Sequence, residues 1–101
     1  MSIRFYDDGG VFVVETTAAA GYLLKSHQHD HAHLSVLVSG TADVTVDGKT
    51  DRVTGYRMLT VPAHTRHTVV AVTDIVWLCL WSDDVAPREQ AQESLKLVIA
   101  A

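Results

Sequence analysis

The chain has 101 residues, of which 48% are hydrophobic and 20% charged, and its formal net charge is −4. That length suits one domain with one modest core, expected over residues 1–101, and the apolar content excludes a disordered chain. Its eight Lys and Arg form no run, which excludes the basic footprint of a nucleic-acid binder. No stretch approaches the roughly 18 apolar residues of a membrane span. The opening residues lack the basic-then-apolar order of a signal peptide, so the expected setting is the cytoplasm.

In chain order, short apolar stretches alternate with turn signals about every eight to twelve residues, the rhythm of an all-β sandwich or barrel. The expected strands are Ile3–Tyr6, Val11–Thr16, Gly21–Ser26, Leu34–Val38, Ala42–Val46, Thr50–Val53, Arg57–Val61, His67–Val72 and Ile75–Trp81. Asp8-Gly9-Gly10 and Asp47-Gly48 are tight-turn sequences, the second fitting a type I′ hairpin. In Ala42–Val46, Asp43 and Thr45 alternate with Val44 and Val46, so one face should be wet. Ile75–Trp81 is apolar at every position, which points to burial on both faces, between two sheets or under a partner subunit. Its one cysteine, Cys79, reads as a buried, inert thiol. Past Pro87 the tail is rich in Glu, Gln, Ala, Lys and Leu, with Ala91, Leu95 and Val98 on one helical face. Leu95–Ile99 also fits a short strand.

All six histidines lie between residues 27 and 67, as His27, His29, His31 and His33, then His64 and His67. Neutral imidazole offers a lone pair at pH 7 with little deprotonation cost, which makes histidine the commonest metal ligand. On one straight strand His27 and His33 would stand about 20 Å apart, beyond the reach of one ion. His27 and His29 share a strand face and can converge. A reversal within Asp30-His31-Ala32 would bring His33 back toward them, and His67 could close the set across a barrel. His31 then falls in the turn, and His64 lines the mouth or contacts a ligand.

The interval Gly21–Gly40 resembles the first motif of the cupin superfamily, G-x5-H-x-H-x3,4-E-x6-G. Here Gly21, His27, His29, His33 and Gly40 keep every interval, with His33 where the family usually has Glu. The second motif, G-x5-P-x-G-x2-H-x3-N, resembles Gly55 through Ala71. Pro62 and His67 keep their spacing. Gly55 is one residue too far away, His64 stands at the second Gly, and Ala71 at the Asn. The resemblance implies an all-β, cupin-type jelly-roll β-barrel, and often a homodimer; the tail pattern alone adds a short C-terminal helix or strand. It also implies a metal between the two motifs, on His27, His29, His33 and His67.

Four neutral imidazoles leave a divalent ion at net +2, where three His and one carboxylate leave +1. The extra charge favours an anionic ligand or substrate. Nitrogen ligation disfavours Mg²⁺ and Ca²⁺ and selects a divalent transition metal: Zn²⁺, Ni²⁺, Fe²⁺, Cu²⁺ or Mn²⁺. A tetrahedral Zn²⁺ on all four would be closed and structural, whereas a larger coordination number leaves room for chemistry. Three functions follow. One is a metal-dependent enzyme of the dioxygenase, isomerase or lyase type on a small anionic or enolisable substrate. The others are a non-catalytic metal- or ligand-binding or sensing module, and a metal-stabilised structural domain. Arg57, Tyr22, His64 and Trp77 are candidate pocket-lining residues. The catalytic residues stay unassigned, because no nucleophile motif or phosphate loop occurs.

Overall fold

The structure, a computed structural model, describes residues 1–24 and 33–82. The expected tail helix or strand, and strand positions 25 and 26, lie outside them. Nine strands occupy the described chain: β1 (Ser2–Asp8), β2 (Val11–Ala18), β3 (Leu23–Leu24), β4 (His33–Ser39), β5 (Thr41–Val46), β6 (Lys49–Thr54), β7 (Arg57–Val61), β8 (His67–Ala71) and β9 (Ile75–Ser82). Every expected strand has a counterpart, although the described part of Gly21–Ser26 is extended only at Leu23–Leu24, and no helix occurs among the described residues.

The strands form two antiparallel sheets, one of five strands in the order β1-β2-β9-β4-β7 and one of four in the order β3-β8-β5-β6. This is a jelly roll, in which neighbours in space are seldom neighbours in sequence. Both two-residue hairpins take the expected form. Gly9 and Gly10 have φ of 62° and 79°, and Asp47 and Gly48 have φ of 52° and 79°. Two successive positive φ values define the type I′ turn, whose twist suits the strands it joins.

The core lies between the sheets. Leu37, Ala42, Val44, Val53, Val69, Ile75 and Trp77 make its larger part, and Phe12, Val14 and Trp81 a second cluster at the opposite end of β9. Two glycines of the first motif sit at positive φ, Gly21 at 89° and Gly40 at 88°. Gly40 is also crowded, because a Cβ there would run into the Asp74 carbonyl oxygen.

The two outer faces differ. On the four-stranded sheet, Thr41 and Thr54 join hydroxyls at 3.0 Å, as do Thr45 and Thr50 at 2.7 Å. Between these pairs Arg52 grips Asp43 through two hydrogen bonds, of 2.9 and 3.1 Å, which hold the Asp43 carboxyl below its usual range. This face is wet, as the alternation in β5 required. On the five-stranded sheet the registers align two rows of outward positions. One row runs Tyr6, Val13, Leu80, Leu34, Thr60, and the other Arg4, Glu15, Leu78, Val36, Met58. Their centre is apolar throughout. In β9 the inward Ile75, Trp77 and Trp81 are buried, whereas the outward Val76, Leu78 and Leu80 are half-buried. The expected burial of β9 on both faces is therefore met on the inner one at Ile75, Trp77 and Trp81, with Cys79 intermediate, and only in part on the outer.

Candidate metal centre

Among the described residues, His67, His64 and the backbone of His33 lie toward one end of the barrel. His67 opens β8 opposite Val46. It shares strand parity with Val69 and Ala71, both buried in the core, so its imidazole enters the barrel. The ring is half-buried and its Nδ1 is shielded from solvent. Local backbone contacts fix this position: the Asp47 amide donates to the Arg66 carbonyl at 3.0 Å, tying the β5–β6 hairpin to the residue before His67.

His33 opens β4 in the facing sheet, with its backbone opposite Val61, the last residue of β7. It stands at the same strand parity as Ser35 and Leu37, which are fully buried. Its side chain lies outside the description, as do His27, His29 and His31. Leu24, the last described residue before them, pairs with Val69, two positions from His67. His33, the next described residue, stands at the same end. Leu24 and His33, the described residues on either side, thus lie at the barrel end where His67 enters. Among the described residues no group of three His, Cys, Asp or Glu side chains comes together.

His64 lies in the turn 62–66 between β7 and β8, exposed, with φ of 59°. The second-motif Gly that it replaces thus coincides with a left-handed backbone position. It stands three residues before His67. The other candidate pocket residues lie elsewhere. Trp77 is 3% exposed inside the larger core cluster, and Tyr22 packs against that cluster beside Ala71, at the far end of β8. Arg57 is exposed opposite Leu37, at the end of β7 away from His33.

One feature near the site went unremarked in the sequence. Trp81, buried, and Phe12, its partner across β2 and β9, form the apolar wall at the level of His33. The signal was strand parity in Ile75–Trp81, unreadable without knowing which end of the barrel held the histidines. Below them Cys79 pairs in register with Ser35. The Trp77 Nε1 donates to its sulfur at 3.3 Å, and the Ser35 hydroxyl lies 3.8 Å away. Burial pushes the Cys79 thiol up from its ordinary pKa, against the smaller opposing pull of these two contacts. The thiol is protonated and unreactive at neutral pH, as expected.

His67 presents an imidazole at the start of β8, and β4, which opens at the same end in the other sheet, begins with a second histidine. The expected ligands are all nitrogen donors, the softer type that transition ions prefer.

A family model described as a cupin domain matches residues 11–81. Among solved structures the fold is similar to that of KdgF from a Halomonas species, at 24% identity over 81% of this chain and 77% of that one, with TM-score 0.73. An RmlC-like cupin from Shewanella frigidimarina is 24% identical over 82% of this chain and 86% of that one, with TM-score 0.68. A predicted oxalate decarboxylase from Thermotoga maritima is 14% identical over 68% and 63%, with TM-score 0.64. These likenesses establish the jelly roll. No curated protein matches the chain in sequence.

Proposed function

The chain belongs to the cupin-domain family, and we propose that it is a small metal-binding cupin holding one divalent transition ion through His27, His29, His33 and His67. The observation that carries this reading is the inward imidazole of His67, standing at the barrel end where Leu24 and the backbone of His33 also lie. The first-motif intervals support it, as does the nitrogen donor set.

The bound ion would act as a Lewis acid, drawing an anionic or enolisable small molecule to the mouth and polarising it. The protein's own contribution begins with exclusion of water. Phe12, Trp81 and Val61 bring apolar surface to the site end, which lowers the local dielectric and strengthens attraction between a charged centre and an anion. His64, at the mouth, supplies an imidazole that donates a hydrogen bond or exchanges a proton with the bound molecule. Carboxylic acids are the first substrate class to test. The name of the Thermotoga maritima protein lends this modest support.

A second reading is a non-catalytic binding or sensing module. It is favoured by the same wall, because Phe12, Trp81 and Val61 supply no general acid or base.

The deciding experiment is elemental analysis of protein purified without a nickel column, then titration with Zn²⁺ and Ni²⁺. One ion per chain is expected for the wild type, and at least 100-fold weaker binding for His67→Ala. Absence of metal with no uptake of either ion would overturn the reading. An oxygen-consumption screen of the loaded protein against carboxylates and diketones then separates enzyme from binding module.

A further inference from the structure

We infer, resting on the metal reading above, that the ligand of this site is a small dicarboxylate, with one carboxylate on the ion and the other held by Lys49. Register places Lys49. Val46 stands opposite His67 across β5 and β8, and opposite Lys49 across β5 and β6. Residues directly opposite one another in a sheet share a face. Val46 packs against the larger core cluster, and His67 has the parity of the buried Val69 and Ala71. The row Lys49-Val46-His67 therefore lies on the inner face of the four-stranded sheet. The two-residue turn Asp47-Gly48 makes Val46 and Lys49 its closing pair and fixes that register.

Lys49 opens the edge strand β6 and is exposed. The other described cations stand elsewhere. Arg4 lies on the outer face of the five-stranded sheet, and Arg52 on the outer face of the other, gripping Asp43. Arg57 lies at the opposite end of β7 from His33, and Arg66 lies in the turn before β8. Among the described residues, Lys49 is thus the one Lys or Arg on the inner face at the end where His67 enters.

The order along the row, cation, apolar side chain, metal ligand, matches a short carbon chain with an anion at each end. Two strand spacings of about 4.8 Å put the Lys49 and His67 backbones roughly 10 Å apart. The flexible stem of Lys49 closes part of that distance from one side. The imidazole and a metal–nitrogen bond of about 2.0–2.1 Å close part from the other. Val46, between them, offers apolar surface to the carbon chain. Asp51, the next position of β6 on this face, stands opposite the buried Val44. Its carboxylate repels an anion lying deeper, which keeps the second carboxylate at the level of Lys49.

Calorimetry of nickel-loaded protein, freed of excess metal, tests the inference with succinate and butyrate, which share a chain length and differ in the second carboxylate. Nickel is chosen because a tetrahedral Zn²⁺ on four histidines would have no open position. The wild type should bind succinate about tenfold more tightly than butyrate. Lys49→Gln should weaken succinate about fivefold or more, with butyrate affinity, nickel uptake and circular dichroism unchanged. Lys49→Arg should restore most of the loss. Arg66→Gln removes a charge beside His67 in sequence, and should leave succinate affinity within about twofold. Equal binding of the two acids by the wild type, or of neither, would overturn the inference. So would a loss of succinate affinity in Arg66→Gln equal to that in Lys49→Gln. Failure of the wild type to take up nickel would overturn the metal reading and this inference with it, whereas uptake without a preference for succinate overturns this inference alone.

Discussion

His33 and His67 open strands in opposite sheets, yet the backbone partner of His33, Val61, is separated from His67 only by the turn 62–66. Metal held by both would bridge the two sheets at one end of the barrel. Removing either ligand should therefore cost metal affinity first and the apo fold little. His33→Ala should weaken binding more than His31→Ala, because His31 is assigned to the turn. His33→Glu should shift preference toward Fe²⁺ or Mn²⁺, whose harder character suits carboxylate oxygen. Calorimetric titration of the three variants checks this, and equal losses for His31→Ala and His33→Ala would refute the ligand assignment.

The acid sensitivity of the loaded protein follows from its ligands. Each imidazole must be neutral to bind, so protonation through about pH 6.5 and below competes with the metal. The stabilisation from metal is complete above that range and lost as pH falls through it. In excess metal, Tm should drop steadily between pH 7 and 5, and chelator should abolish most of that slope. A Tm insensitive to chelator and pH would mean that the ion adds no stability.

His64 occupies a left-handed position at φ 59°, which costs a residue with a Cβ about 1–2 kcal/mol. Glycine removes that cost but adds freedom to the unfolded chain, worth about 0.4–1 kcal/mol. His64→Gly should therefore stabilise the apo protein by up to about 1 kcal/mol, raising Tm by a few degrees. Loss of stability on thermal melting would show that contacts of the ring outweigh the backbone term.

Gly40 and Gly21 should answer differently to alanine. Both have positive φ, but only Gly40 faces Asp74, Ile75 and Thr73 at contact range, and Gly21 has open space. Gly21→Ala should cost about 1–2 kcal/mol, from the backbone alone. Gly40→Ala adds a clash with main chain and should exceed about 3 kcal/mol, the range of serious core overpacking. Urea denaturation of the two variants gives the comparison directly.

Cys79 predicts an alkaline limit. Its folded pKa is raised by burial, so above about pH 8.5 the unfolded chain loses a proton that the folded chain keeps. The folded state then binds more protons, and stability falls with rising pH. Cys79→Ser would confuse the comparison by burying a stronger dipole. Cys79→Ala should flatten the decline between pH 8 and 10 in urea titrations.

The strands were legible in the sequence because each is short, apolar and bounded by turn residues, and the Asp47-Gly48 hairpin emerged as its chemistry required. The histidine spacing pointed to one barrel end, and His67 and the backbone of His33 are found there. What the sequence could not convey was position along the barrel. Tyr22 and Trp77 have the size and polarity of pocket residues, but their register with Ala71 and Leu37 puts them at the end away from His67. Strand parity says which face a residue takes, whereas its level depends on pairings between distant segments. Half-burial of Leu78 and Leu80 has the same origin: periodicity marks the outward face but carries no record of what rests on it.

β9 is the last strand described and also the middle of the five-stranded sheet, bonded to β2 on one side and β4 on the other. During synthesis, at roughly 5–20 residues per second, both neighbours emerge seconds before it. The β1–β2 hairpin and the β4–β7 pair can form early, but each must wait with an open edge and an apolar face. Only when residue 82 has cleared the ribosome can the sheet close. Interrupted translation or truncation before Ile75 would leave two sticky half-sheets rather than a smaller barrel, the kind of fragment that chaperones and proteases remove.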